Sequence, residues 1–245
     1  MESIGIISLY GLIFGMIGTT IGGFIGAFIN VNSKKILSFI LEVAAGLMTS
    51  IICFDLIPEA LNIVNISYCI IGILVGIFSM IICDNFVNKV CNNHKSLRKN
   101  NLLKTGLIIA IGLAIHNFPE GLAIGAGFES SLNLGLKLAI AIALHDVPEG
   151  ISISLPLKFS GSSKFKAILI TTLSGLTTGI GAFFGAIIGN ISLNLIGLSL
   201  AFAAGAMLYI VSCELIPESN SMYKGRFSSF GNIIGIIIGI ISKII

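Results

Sequence analysis

The sequence predicts an all-α membrane protein of eight transmembrane helices, and three observations carry that expectation. Of 245 residues, 55% are hydrophobic and only 10% are charged, and the mean hydropathy is +1.04. Soluble domains carry roughly 25% charge, so these charges are too few to coat a water-facing surface. The apolar residues also gather into runs long enough to cross a bilayer, which takes about 20 residues. Finally, the first runs return near the end of the chain as a long internal repeat. Together these exclude a soluble enzyme, a disulfide-stapled secreted domain and a nucleic-acid reader. The net charge of +3 is small, so the placement of the charges carries more information than their sum.

The runs lie at about 4–30, 36–62, 67–88, 104–127, 132–157, 165–189, 192–218 and 229–245, with polar loops expected at 89–103 and 219–228. A transmembrane β-barrel would show alternating segments of about ten residues, which are absent. No secretory cleavage pattern follows the first run, which is therefore read as a retained span. Glycines four apart, such as Gly18, Gly22 and Gly26 or Gly181 and Gly185, let helix backbones approach closely in lipid. They fit a static seam or a sliding one equally well. Cys53, Cys69, Cys83, Cys91 and Cys213 show no CxxC spacing and are expected to behave as small buried hydrophobes.

Lys and Arg set the orientation. With 89–103 in the cytoplasm, carrying Lys89, Lys95, Arg98 and Lys99, eight alternating spans bring Lys34, Lys35, Lys104, Lys158, Lys164, Lys166, Lys224 and Arg226 to the same side. All but Lys137 and Lys243 of the 14 basic residues are then cytoplasmic, and both termini face outward. His94 in the basic loop reads as a solvated side chain, and Asp84 as an interfacial acid.

A shift of 159 residues lays Ala44-Ala45-Gly46-Leu47-Met48 on Ala203-Ala204-Gly205-Ala206-Met207. It also lays Asp55-Leu56-Ile57-Pro58-Glu59 on Glu214-Leu215-Ile216-Pro217-Glu218. From Ile17 to Glu59, 18 of 43 positions are identical without a gap. The second copy starts five spans after the first, an odd number, so the copies are expected to cross the bilayer in opposite senses. Inverted repeats are the architecture of alternating-access transporters, whose substrate binds near the midplane. The expected division is one transmembrane domain: a first repeat over 4–88, central helices over 104–157, and a second repeat over 165–245.

The central helices hold a second repeat, shifted by 29 residues. His116-Asn117-Phe118-Pro119-Glu120-Gly121 answers His145-Asp146-Val147-Pro148-Glu149-Gly150. In each copy the His and Glu are four apart and share a helical face. Asn117 and Asp146 lie about 100° further round, toward the seam between the two helices. Pro119 and Pro148 each remove a backbone donor, which is expected to break the helix and expose oxygen to a cation. Membrane-depth carboxylates (Glu42, Asp55, Glu59, Glu120, Asp146, Glu149, Glu214 and Glu218) outnumber the bases left outside the loops. Their expected partner is a bound metal or protons, the structural alternative being protonated carboxyls hydrogen-bonded within the bundle. Imidazole with carboxylate suits zinc and neighbouring divalent transition metals, whereas Mg²⁺ and Ca²⁺ prefer oxygen alone.

With HNFPEG and HDVPEGISISLPL in view, the chain resembles the ZIP family of divalent metal transporters, in its bacterial, GufA-like branch, over essentially its whole length. The resemblance implies eight spans arranged 3+2+3 and a metal site between the fourth and fifth. Residue by residue it implies His116, Asn117 and Glu120 as ligands from one helix, and His145, Asp146 and Glu149 from the other. Met48 resembles a soft ligand or gate position, with core packing as the alternative. Glu59 and Glu218 stand where acids guide metal along its path or cap helices near the interface. A homodimer in the cell membrane, an elevator-like shift of the metal-carrying helices and uptake into the cytosol are also implied. Zinc comes first as cargo, with Fe, Mn and Cd as other candidates, and no cofactor is expected. One departure stands out. Relatives often read SGLxEP in the sixth span, with the Glu bridging a second metal. Here the stretch is Ser174-Gly175-Leu176-Thr177-Thr178-Gly179, with Thr178 in place of the carboxylate.

Two other functions compete. A membrane-embedded metal-dependent hydrolase also needs His and acid on a helix, but HExxH is absent and hydrolysis has no use for inverted repeats. A passive metal channel would share the same ligands, and flux saturation separates it from a carrier.

Overall fold

The computed structural model describes residues 3–28, 33–93 and 101–244, with side chains described for 3–28, 33–85 and 110–241 except Gly112 and His116. Every regular element among them is helical. In chain order these are α1 (Ile4–Phe28), α2 (Lys34–Ile51), α3 (Ile57–Ile63), α4 (Ile66–Asn93), α5 (Asn101–Ser130), α6 (Leu132–Phe159), α7 (Lys164–Ser174), α8 (Leu176–Ile191), α9 (Leu193–Ile210), α10 (Ile216–Met222) and α11 (Arg226–Ile244). Six helical rods among the described residues are long and apolar enough to cross a membrane: Ile4–Phe28, Lys34–Ile63, Ile66–Asn85, Leu132–Phe159, Lys164–Ile191 and Leu193–Met222. Arg226–Ile241 is a shorter apolar helix. The chain is thus an all-α membrane protein.

Serines set several of the helix starts by accepting an orphan backbone N–H. Ser131 Oγ accepts from Leu134 N, Ser163 Oγ from Lys166 N, and Ser192 Oγ from Leu195 N. Asn65 Oδ1 does the same for Tyr68 N at the head of α4. The connections are shorter than the sequence suggests, because helices continue into polar stretches. α4 runs to Asn93 and α5 begins at Asn101, so the expected loop at 89–103 is helical at both ends. His94 and Lys95 lie outside the described residues, as does the side chain of Cys91.

The 159-residue shift reappears in the architecture. α2 passes into α3 through a π-helical turn, Ile52–Leu56, and α9 passes into α10 through another, Val211–Leu215. The two turns stand 159 residues apart, each just ahead of a proline. Pro58 and Pro217 lack the N–H that a helix interior requires, and the wider turn accommodates them. The Ile57 N–H reaches back to Ile52 O, and the Ile216 N–H to Val211 O. Packing obeys the same exchange: α1 lies on α6 and α8 on α5, α2 on α11 and α9 on α4, α2 on α6 and α9 on α5. One feature is not repeated. α1 is continuous, whereas its counterpart is interrupted at Gly175 between α7 and α8.

These contacts sort the helices into two four-rod bundles. The first holds α1, α5, α6 and α7–α8; the second holds α2–α3, α4, α9–α10 and α11. The bundles meet chiefly where α5 lies on α9 and α2 on α6. The glycine stripes belong inside the bundles and are static seams. A Cβ on Gly22 would strike the Val147 carbonyl of α6, and one on Gly185 the Leu122 carbonyl of α5. In the second bundle, Gly46 meets Asn232 O and Gly205 meets Ile73 O in the same way. Polar pairs also fasten the second bundle from within. Ser38 and Ser219 hydroxyls lie 2.8 Å apart, Asn232 Nδ2 donates to Glu42 Oε2 at 3.1 Å, and the Tyr209 hydroxyl donates to Asp84 Oδ2 at 3.1 Å. Asp84 is therefore a packed, half-buried partner and not merely an interfacial acid.

The expected burial of the cysteines fails for two of them. Cys69 is buried, but Cys53 and Cys213 are exposed, both on the π-helical turns. In lipid an apolar thiol gains nothing from protein burial that acyl chains do not offer. The same reason leaves Ile13, Ile17 and Phe24 of α1 and Leu74, Val75 and Phe78 of α4 exposed.

Candidate metal centre

The centre forms inside the first bundle because α5 and α6 cross with their HxxPEG turns side by side. Both helices run on through Pro119 and Pro148, so the expected break in the backbone does not occur there. Each proline instead deletes one donor within an otherwise regular helix. Glycines of α1 and α5 make the close packing possible. Gly18 of α1 has only hydrogen where a Cβ would strike the Cβ of Asp146, and Gly121, next to Glu120, presses against the Thr178 backbone of α8. A methyl group at either place would push the helix carrying an acid away from the centre.

Four side chains converge: Glu120 from α5, and His145, Asp146 and Glu149 from α6, with one ligand atom of each within 4.8 Å of every other. Glu120, His145 and Asp146 are 0% exposed and Glu149 is 1% exposed. His145 Nε2 lies 2.9 Å from Glu120 Oε1 and 3.6 Å from Asp146 Oδ1. Two ligands on a tetrahedral zinc, with bonds of about 2.05 Å, are separated by about 3.3–3.5 Å. The cluster needs only sub-ångström adjustment at the His145 contacts to meet that geometry. Its donor set of one imidazole and three carboxylates is the mixed N/O chemistry of divalent transition metals. Three buried acids against one imidazole are also a poor structural device, since buried carboxylates crowd like charge unless a cation joins them.

Asn117, about one helical turn before Glu120 on α5, is fully buried. Its Nδ2 donates to Ser174 O at 3.1 Å, at the interruption between α7 and α8. A carbonyl can only accept, so this bond commits the amide nitrogen and turns Oδ1 the other way. Asn117 Oδ1, both Asp146 oxygens, His145 Nδ1 and Thr178 Oγ1 are buried without a hydrogen-bond partner among the described residues. Buried oxygens left this way are costly unless a cation or water engages them.

The structure thus brings together Glu120, His145, Asp146 and Glu149, and sets Asn117 against the same helices. The His116 side chain lies outside the described residues. Met48 is fully buried in the large apolar core, on the α2 rod that packs against α6. Three contributors escaped the sequence reading: Gly18, the Ser174 carbonyl and the interruption at Gly175. The first had a signal, since Gly18 belongs to the stripe of α1. The carbonyl had none, because a backbone acceptor has no letter in the sequence.

The chain matches the family described as ZIP Zinc transporter over residues 94–244. It is 38% identical to Zinc transporter GufA of Myxococcus xanthus over 138 residues, which cover 56% of this chain and 54% of that protein. It is 41% identical to Zinc transporter ZIP11 of Homo sapiens over 142 residues, 54% of this chain and 40% of that one. These matches span about half or less of the relatives' own length. Zinc transporter ZupT of Oceanobacillus iheyensis is 34% identical over 236 residues, covering 87% of this chain and 88% of that protein. A match over more than half of the chain, and a relative aligned along most of both proteins, show that the chain belongs to the ZIP zinc transporter family.

Proposed function

We propose that the chain carries divalent transition-metal ions across the cell membrane into the cytosol, with zinc as the first cargo. The observation that carries the reading is the fully buried Glu120–His145–Asp146–Glu149 cluster at mid-helix between α5 and α6. Such a group in a membrane protein marks an ion path. His116 and Asn117 complete the ligand set from α5, and Met48 acts as a soft contact on the path. The chain is a single transmembrane domain of eight spans, with repeats at 4–88 and 165–245 around the helices 104–157. Both termini face outward, the basic connections face the cytosol, and the protein works as a homodimer.

The sorting into two bundles supports an elevator-like carrier. All four convergent ligands lie in the first bundle, whose glycine seams bind α1 to α6 and α8 to α5 as one body. Where α5 meets α9 and α2 meets α6, no glycine Cβ would come within 3 Å of the other bundle among the described residues. That is where one bundle can shift against the other. Purified protein in liposomes, offered a panel of radiolabelled Zn²⁺, Fe²⁺, Mn²⁺ and Cd²⁺, tests the function. Saturable uptake with zinc among the transported ions is expected. Uptake should also weaken as pH falls from 7.5 to 5, because carboxylates and imidazoles bind metal only after losing protons. Non-saturating flux would make the protein a channel, and no metal flux at all would remove the reading.

A further inference from the structure

One hydrogen bond crosses between the bundles at a telling place. Glu59 Oε1 on α3 accepts from Ser130 Oγ at 2.8 Å. α3 belongs to the second bundle, whereas Ser130 is the last residue of α5 in the first. A single residue, Ser131, separates α5 from α6 and caps α6 through its hydroxyl. Whatever grips Ser130 therefore grips the turn joining both helices that carry the convergent ligands. The bond joins a hydroxyl donor to a carboxylate acceptor, a kind stronger than a neutral pair yet still breakable.

The repeat supplies a counterpart at the other end. A shift of 159 residues carries Glu59 onto Glu218, which lies on α10 of the second bundle. As α3 packs on α9, so α10 packs on α2. The 29-residue shift between α5 and α6 carries the end of α5 onto the end of α6, where Ser160 follows Phe159 as the helix cap. The symmetry is broken in this conformation. Glu59 is half-buried and bonded, while the Glu218 side chain is exposed and makes no hydrogen bond among the described residues. In a protein built from inverted repeats, the two halves exchange their conformations between the two states of the cycle. A contact made by one half at one end is then made by the other half at the opposite end.

We propose that Glu59 with Ser130, and Glu218 with Ser160 at the end of α6, are two alternating latches on the metal-carrying bundle. The first is closed in this conformation, and the second closes when the bundle has shifted. The inference rests on the moving-bundle reading above and names the residues that hold each end state.

Two cysteine pairs test it, in a background whose five native cysteines are replaced and whose zinc uptake is retained. Glu59→Cys with Ser130→Cys, and Glu218→Cys with Ser160→Cys, are each treated with a short thiol-bridging methanethiosulfonate. Uptake before bridging shows that each variant is folded. Bridging either pair should stop uptake, and reduction should restore it. Adding Ser130→Ala to the second pair should speed its bridging on the order of tenfold, the worth of one hydrogen bond to a charged group. Glu59→Gln, which keeps an acceptor, should speed it less. If bridging the first pair leaves uptake intact, both the latch and the moving bundle are overturned. If that bridge stops uptake while Ser130→Ala leaves the second pair's rate unchanged, the latch alone is overturned. Failure of the second pair to bridge during turnover would also overturn it.

Discussion

Glu149→Ala should lose zinc uptake by about a hundredfold or more while the protein still inserts and purifies as the wild type does. The carboxylate is 1% exposed among Glu120, His145 and Asp146, so its removal changes the buried cluster and little else. Residues that merely orient a metal ligand are worth about 10–100-fold in affinity, and a direct ligand is worth more. The loss also leaves a cluster of two acids and one imidazole among the convergent groups, which favours protons over a divalent ion. Glu120→Ala should act alike. His145→Gln should be milder, because an amide oxygen can still reach the ion, although it breaks the 2.9 Å contact with Glu120. Uptake by Glu149→Ala within threefold of wild type, in protein with an unchanged helical spectrum, would show that the ion travels elsewhere.

Thr178→Glu should raise the number of tightly held metals from one per chain to two. With Glu120, Asp146 and Glu149 ionised and the histidines neutral, one divalent ion leaves the site at a formal −1. Two ions leave it at +1, and only a fourth carboxylate makes two ions neutral. An uncompensated buried charge costs several kcal/mol, and every 1.4 kcal/mol is about a factor of ten in affinity. The family resemblance puts that carboxylate at position 178. Thr178 is fully buried on α8, its hydroxyl has no hydrogen-bond partner among the described residues, and Gly121 of α5 lies against its backbone. Asn117 is tied to the same rod through Ser174. Gly15 of α1 packs directly on the Thr178 side chain, so the shorter Thr178→Asp is a second route to the same result. Elemental analysis after dialysis reads the outcome. Two metals in the wild type, or one in both variants, would contradict the charge argument.

Much of the fold is legible because membrane constraints are coarse. Apolar runs of bilayer length and an ungapped repeat through Pro58-Glu59 and Pro217-Glu218 suffice to place the rods. The clustering of Glu120, His145, Asp146 and Glu149 is legible for a different reason: ionisable groups are expensive at mid-membrane, so the two HxxPEG turns are expected to face each other. What escaped is the sorting of rods into bundles. Lipid and protein interior are equally apolar, so α1 and α4 carry isoleucines on lipid-facing and packed sides alike, and the pattern does not say which neighbour each side meets. The glycine stripes were visible, yet their partners were not, since a static seam and a sliding seam use the same small residues. The π-helical turns were also hidden. Pro58 and Pro217 announce a disturbance, but Pro119 and Pro148 announce the same one and leave α5 and α6 regular. Tertiary packing decides which proline widens its helix.

The central claim is that the ion rests on imidazole and carboxylate from α5 and α6. Zinc-edge X-ray absorption on the purified, dialysed protein tests it most directly. The account predicts nitrogen and oxygen neighbours at about 2.0–2.1 Å, imidazole scattering in the outer shells, and a drop in that scattering in His145→Gln. A sulfur shell at about 2.3 Å that persists in Met48→Ala would place the ion on cysteine instead, and an imidazole signal unchanged by His145→Gln would place it away from this cluster.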